Sequence, residues 1–227
     1  AAAVSRSPDV HAVIRSALML LALLAAASPT LAQWSRVESL PASTMNGVWA
    51  NADTIAVAAD STTWLSTDAG ATWTHSGLLP PGVSTVTVAR FRNGRLYAGT
   101  YGQGVFASDD RGATWQPYSQ GLVGGLFDSQ LYIADLLVRG DSLYAATSGA
   151  GPWVRNLEAG SWSSFGAVFE PNQASNMNAI AAGGGRLLAC AGFNGTVFFR
   201  DAGDSDWTLS WLDDAGIVRP PAAASAV

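Results

Sequence analysis

The stretch Ser108-Asp109-Asp110-Arg111-Gly112-Ala113-Thr114-Trp115 constrains this chain most, because its spelling, Ser-x-Asp-x-Gly-x-x-Trp, already occurs at Ser66, Asp68, Gly70 and Trp73. Each copy predicts a tight reversal between two strands. A short carboxylate accepts bonds from N–H groups of its own turn, Gly permits positive φ, and the indole after the turn enters an apolar layer. The strand before each turn recurs as well, as Ile55-Ala56-Val57-Ala58, Leu96-Tyr97-Ala98-Gly99-Thr100, Leu143-Tyr144-Ala145-Ala146-Thr147 and Leu187-Leu188-Ala189-Cys190-Ala191. The first residues of these strings are 41, 47 and 44 residues apart. A period in the forties filled with short strands predicts propeller blades, each a four-stranded antiparallel sheet.

In the best repeat the predicted strands are Val86 to Phe91, Leu96 to Tyr101, Val105 to Ser108 and Thr114 to Ser119. Arg92-Asn93-Gly94 and Gly102-Gln103-Gly104 supply the other turns. Later copies decay. Glu158-Ala159-Gly160-Ser161-Trp162 shortens the Gly-to-Trp interval by one residue, and Asp201-Ala202-Gly203-Asp204-Ser205-Asp206-Trp207 lengthens it by one. Both still begin an outer strand with an indole. A second aromatic recurs in the third strand, at Trp64, Phe106, Trp153 and Phe198, and is read as packing between adjacent blades. With these motifs the chain resembles the Asp-box (BNR-repeat) β-propellers, which include sialidases, xyloglucan-active glycoside hydrolases, sortilin-type receptors and photosystem II assembly factors. The resemblance implies an all-β fold with four-stranded antiparallel blades at about 45–75, 84–119, 132–165 and 177–212. It makes Ser66, Asp68, Gly70, Trp73, Ser108, Asp110, Gly112 and Trp115 structural turn residues.

The N-terminus reads as an address. Arg6, His11 and Arg15 precede the apolar block Ala17 to Ala27, and Pro29 comes before the small-residue cleavage signature Thr30-Leu31-Ala32. Residues 1–32 are therefore expected to be a secretory signal peptide. The apolar block is roughly half the about 20 residues that a membrane span needs, so no stable insertion is expected after cleavage. Residues 33–41 resemble an outer strand without its own blade, and residues 219–227 read as a linker or a truncated tail. About four blades in one propeller unit, 33–218, then leave the ring incomplete, and the chain is expected to belong to a longer reading frame.

Composition restricts partners. The chain has 12 basic and 17 acidic residues; cleavage would remove Arg6, Arg15 and Asp9, leaving 10 against 16. A net negative charge argues against nucleic acid. The single cysteine, Cys190, lies in an apolar run and reads as buried packing. His75 stands alone in the exported part, so a Ser-His-Asp triad or a His-rich metal site lacks components. No metal or cofactor is expected.

In propellers of the resembled family, ligands bind at the channel entrance, which is formed by the loops joining second to third strands and by the loops joining blades. Here that face would present Tyr101, Gln103, Phe127, Asp128, Phe193 and Asn194, a mixture of flat rings and amides suited to a protein or carbohydrate ligand. Asp60, Asp128, Asp135 and Glu170 are the weak catalytic candidates, because glycoside hydrolysis needs two placed acids. The sialidase signature Phe-Arg-Ile-Pro is absent. The leading expectation is a secreted, extracellular or periplasmic, non-catalytic propeller that presents a binding face. The alternatives are the N-terminal part of an exported glycoside hydrolase, sialidase-like or xyloglucanase-like, and a structural module of a large surface protein. On this reading, mass spectrometry of protein exported by a bacterial host will find the N-terminus at Gln33. An intact, membrane-retained chain would identify the apolar block as an anchor.

Overall fold

The computed structural model describes residues 37, 38, 40, 43–77, 79–83, 85–123, 126–158, 160–166, 176–191, 196–212 and 218–219. Residues 1–32, most of the expected outer strand 33–41, Glu170, Phe193, Asn194 and the tail beyond Arg219 lie outside the described residues. The chain divides into two units, Ala1–Glu38 and Ser39–Val227, and the described strands belong to the second.

Those strands form four antiparallel sheets. The first blade is β1 (Met45–Asn51), β2 (Thr54–Ala59), β3 (Thr62–Ser66) and β4 (Thr74–His75). The second is β5 (Val86–Arg92), β6 (Arg95–Thr100), β7 (Val105–Ser108) and β8 (Gln116–Pro117). A short 3-10 segment, Leu126–Leu131, leads into the third: β9 (Ile133–Arg139), β10 (Ser142–Thr147), β11 (Gly151–Asn156) and β12 (Ser163–Ser164). The fourth is β13 (Met177–Gly183), β14 (Arg186–Ala191), β15 (Thr196–Arg200) and β16 (Thr208–Leu212), with β17 (Val218–Arg219) added at its outer edge. Each blade is a meander, because consecutive strands are joined by short reversals. The β5–β6 reversal places Asn93 and Gly94 both at positive φ, 49° and 84°, as a two-residue hairpin turn requires. The innermost strands β1, β5, β9 and β13 pack side by side in chain order, and among the described residues β1 and β13 share no comparable packing. The described residues thus form four blades of a β-propeller whose ring is open among them.

Period-two alternation decides how the blades stack. In β6, Leu96 and Ala98 join the core toward the first blade, with Phe106 of β7 and Trp115. Their sequence neighbours Tyr97, Val105 and Ala107 join the core toward the third blade, with Leu143, Ala145, Trp153 and Trp162. The third blade repeats the division, since Ala146 enters the core shared with Ala189, Ala191 and Phe198 of the fourth. Each blade therefore has an upstream face carrying the third-strand aromatic and a downstream face carrying small or aromatic second-strand residues. Cys190 alternates onto the fourth blade's downstream face and is half-buried, less enclosed than its apolar neighbours in sequence suggest.

The inner strands are also stapled. A register irregularity near the start of β1 and β5 sets Asn46 and Thr87 apart from the ladder. The Asn46 amide donates to the Val86 carbonyl at 2.9 Å and the Thr87 hydroxyl to the Ile133 carbonyl at 2.5 Å, each on the next blade. Bulges are suited to this, because they re-aim one side chain without ending the strand.

The two Ser-x-Asp-x-Gly-x-x-Trp turns have one hydrogen-bond plan. The Ser108 hydroxyl donates to Asp110 at 2.7 Å and accepts the Gly112 N–H at 2.7 Å, while Asp110 accepts the Thr114 N–H and hydroxyl. Ser66, Asp68, Gly70 and Thr72 repeat these bonds. In the third and fourth blades Arg155 and Arg200 stand at the serine position, opposite Leu143 and Leu187 in the ladder as Ser108 is opposite Leu96. Their guanidinium groups reach back to the preceding blade, Arg155 lying 3.7 Å from the Tyr118 ring centroid and Arg200 3.8 Å from that of Phe165. At the first junction the corresponding outer-strand residue is Ser76. A Cβ on Gly112 would come within 2.7 Å of the Ser76 Cβ, so glycine and serine fit there as arginine and an aromatic ring fit at the other two junctions.

Bonds from Thr72 and Thr114 lower the Asp68 and Asp110 pKa values to about 2. Because the folded values are depressed, this stabilisation is complete above the unfolded carboxylate pKa of about 3.9 and disappears as pH falls through about 2. The thermal midpoint should therefore drop between about pH 4 and pH 2, and Asp68→Asn with Asp110→Asn should flatten that limb. An unchanged acid limb in the double variant would show that the turns do not supply it.

Candidate functional site

One end of the sheets carries the Ser-x-Asp turns and the β1–β2, β5–β6, β9–β10 and β13–β14 reversals; the other carries the second-to-third strand turns and the blade connections. At the turn-bearing end a cleft of about 230 Å³ opens between the second and third blades, lined by Arg92, Arg95, Tyr97, Asp109, Asp141 and Glu158, among others. Its central charges already satisfy each other. Arg95 grips Asp109 through two bonds of 2.5 and 2.9 Å, which lowers the Asp109 carboxyl below its ordinary range.

The opposite end is the expected entrance. Asp60 closes the β2–β3 turn at φ 45°, its carbonyl accepting the Val86 N–H and its own N–H bonding the Thr44 carbonyl. Tyr101 and Gln103 share the β6–β7 turn. Tyr101 is 63% exposed, yet its ring meets Tyr132 edge-on, with centroids 4.7 Å apart and planes at 87°. Backbone geometry fixes this pair, because Tyr101 and Tyr132 form an isolated antiparallel bridge and Gly102 donates to the Leu131 carbonyl. Gln103 is turned sideways, donating from Nε2 to the Gly82 carbonyl at 2.5 Å. Phe127 and Asp128 lie on the 3-10 segment that runs into Tyr132, with Asp128 at φ 57° and 3.4 Å from the Gln130 amide. Tyr101, Tyr132 and the 126–131 segment therefore come together at one place on this face. Ser148 and Asn176 make the equivalent bridge one blade later.

Asp135, the candidate on the innermost strand, occupies a different environment. Its Oδ1 is 2.5 Å from Arg90 Nη2 on β5 and accepts the Leu136 N–H at 2.8 Å, while Oδ2 accepts the Ile180 N–H of β13 at 3.1 Å. One carboxylate thus joins the second, third and fourth blades. Burial pushes the Asp135 carboxyl up, against the pull of Arg90 and the two N–H groups. The short charge-assisted contact is the ionised pair, since a guanidinium stays protonated in proteins. Sequence reading singled out Asp135 but not Arg90, because the partners are 45 residues apart and only blade stacking aligns them. Among the described residues no group of three or more His, Cys, Asp or Glu side chains could hold a metal ion.

No protein-family model matches this sequence, and no curated protein matches it. Solved structures do match its fold, and the three that follow are β-propeller proteins of low identity. YCF48 from Cyanidioschyzon merolae is 11% identical over 78% of this chain and 59% of its own, with a TM-score of 0.59. The extracellular domain of a hybrid two component system from B. thetaiotaomicron is 15% identical over 81% of this chain and 24% of its own, with a TM-score of 0.61. The GH74 xyloglucanase from Xanthomonas campestris is 16% identical over 70% of this chain and 29% of its own, with a TM-score of 0.52. The chain therefore spans between about a quarter and three fifths of these proteins. Their likeness identifies the fold, a β-propeller module. No described helix is long and apolar enough to cross a membrane.

If Asp135 holds three blades together, Asp135→Ala removes the carboxylate that Arg90 and the Leu136 and Ile180 N–H groups share and should cost roughly 2–4 kcal/mol. That is at or below the usual cost of breaking a buried pair, because both side chains keep some solvent contact, 15% and 17%. Urea denaturation will measure it. A change under about 0.5 kcal/mol would show that the pair does not organise the inner strands.

Proposed function

We propose that this chain is an exported Asp-box propeller module that binds a protein or carbohydrate ligand at its channel-entrance face and performs no catalysis there. The observation that carries this reading is Tyr101, an exposed residue whose ring is braced edge-on by Tyr132. A ring fixed before binding loses little conformational entropy on contact, which favours recognition by stacking. The carboxylates tell against hydrolysis. Asp135 is committed to Arg90 and two backbone N–H groups, while Asp60 closes the β2–β3 turn and Asp128 lies in the 3-10 segment, both at positive φ. A propeller of the same fold, YCF48, has been seen bound to a D1 peptide, and a peptide suits the Tyr101 platform. Tyr101, Gln103, Phe127, Asp128, Phe193 and Asn194 are the proposed binding residues.

The test screens the protein against peptide and oligosaccharide arrays, then repeats the best hit with Tyr101→Ala combined with Phe193→Ala. Binding should be lost while the thermal midpoint stays within about 2 °C. Sialosides and xyloglucan oligosaccharides should not be turned over. Hydrolysis that disappears on Asp60→Asn, Asp128→Asn, Asp135→Asn or Glu170→Gln would replace this reading with a glycoside hydrolase, the activity of the Xanthomonas campestris xyloglucanase that shares the fold.

A further inference from the structure

A second cleft, of about 350 Å³, opens at the turn-bearing end between the third and fourth blades, and its walls include Arg139, Tyr144, Phe165, Leu187, Arg200 and Asp204. It repeats the cleft between the second and third blades. Arg139 ends β9 as Arg92 ends β5, and Tyr144 stands on β10 where Tyr97 stands on β6. The charges differ. The earlier cleft receives Asp141 and Glu158 from its downstream blade, beside Arg92 and the pair of Arg95 with Asp109. In the fourth blade both positions are glycine: Gly185 precedes Arg186 as Asp141 precedes Ser142, and Gly203 follows Arg200 at the same distance as Glu158 follows Arg155. A Cβ on either glycine would meet nothing within 4 Å, so the space that two carboxylates occupy in one cleft is open in the other.

The cations remain. Arg139 donates from Nη2 to the Gly185 carbonyl at 2.9 Å, and Arg200 from Nε to the Asp204 carbonyl at 2.9 Å. Among the described residues neither has a carboxylate within 4 Å. The acids nearby are engaged. Asp201 holds Arg186 through two bonds of 2.5 and 3.0 Å, and Asp204 Oδ2 accepts the Asp201 N–H at 3.2 Å. With Arg186 and Asp201 neutralising each other, Arg139 and Arg200 face Asp204 alone, which leaves the cleft with positive charge in excess. Arg200 is also held in place, since its guanidinium lies 3.8 Å from the Phe165 ring centroid, and its Nη1 is buried without an acceptor. A guanidinium stays protonated, and its fork of N–H groups matches the two oxygens of a carboxylate. Tyr144 meets Phe165 edge-on with centroids 5.1 Å apart, and with Leu187 it gives the charges an apolar wall.

We propose that this cleft binds a small carboxylate carried on a flat ring, the ring against Tyr144 and Leu187 and the carboxylate drawn to Arg139 and Arg200. The small excess of positive charge suits a monoanion, whereas a phosphate dianion would bring a second negative charge towards Asp204. The volume falls among those of small-molecule sites, on the order of 300–1,000 Å³. This site lies at the opposite end of the sheets from Tyr101 and does not depend on ligand binding there.

Isothermal titration calorimetry of the full chain with benzoate tests the assignment. Benzoate should bind one to one, and benzyl alcohol, which has the ring but no charge, should not. Inorganic phosphate should bind more weakly than benzoate. Arg139→Gln, at a half-buried strand end, should weaken benzoate about tenfold, and Ala202→Glu, which returns a carboxylate to the cleft from an exposed turn, should do the same with both arginines in place. Asp204→Asn should strengthen binding, because the amide oxygen still closes the turn while the opposing charge is gone. Thermal midpoints will verify that each variant is folded. Absence of benzoate binding to the wild-type chain would overturn the proposal, as would equal binding of benzyl alcohol or phosphate, or an affinity that none of the three substitutions moves. So would binding that disappears on Tyr101→Ala, which would place benzoate at the entrance face.

Discussion

Each blade must bury two apolar faces, and only another blade supplies the surface to do so. A four-stranded meander with alternating side chains is apolar on both sides, so a blade alone would expose Leu96, Ala98 and Phe106 on one side and Tyr97, Val105 and Ala107 on the other. At about 25 cal/mol per Å² of apolar surface removed from water, that stacking outweighs any single turn or ion pair. The rest of the structure accommodates this packing. Bulges aim Asn46 and Thr87 at neighbouring strands, and Asp135 fastens three inner strands at once.

The junctions solve one packing problem in two ways. Between the first and second blades, a serine-bearing turn closes on itself, and its glycine admits Ser76 of the blade before. Between the later blades the turn has lost its serine, and an arginine fills the space by lying flat on an aromatic ring. The guanidinium is planar and weakly hydrated, which makes such stacking favourable in a partly desolvated seam. Decay of the turn motif therefore does not mean decay of the blade. The indoles Trp162 and Trp207 remain as anchors and take their hydrogen-bond acceptors from the adjacent sheet.

The two ends of the sheets are held in different ways. The turn-bearing end is occupied by internal bonds and surface ion pairs such as Arg95 with Asp109. The opposite end consists of loops held at their bases by bridges, Tyr101 to Tyr132 and Ser148 to Asn176. Loops anchored in this way can change sequence without disturbing the stacked faces.

The fold class was legible in the sequence because a propeller repeats its local chemistry: Ser66 and Ser108, Asp68 and Asp110, Trp73 and Trp115 announce the turns, and spacings of 41, 47 and 44 residues announce the blades. Those signals are short-range, and turn geometry depends on residues only a few positions apart. The substitution of serine by Arg155 and Arg200 was visible in the aligned repeats, but its meaning was not, since the arginines act on rings 37 and 35 residues earlier in the chain. The pairing of Arg90 with Asp135, the edge-on contact of Tyr101 with Tyr132, and the difference between a buried Phe106 and a half-buried Trp64 were decided by tertiary structure alone. Each depends on which blade lies beside which, and a repeat that looks the same in every copy carries no record of where the ring is open.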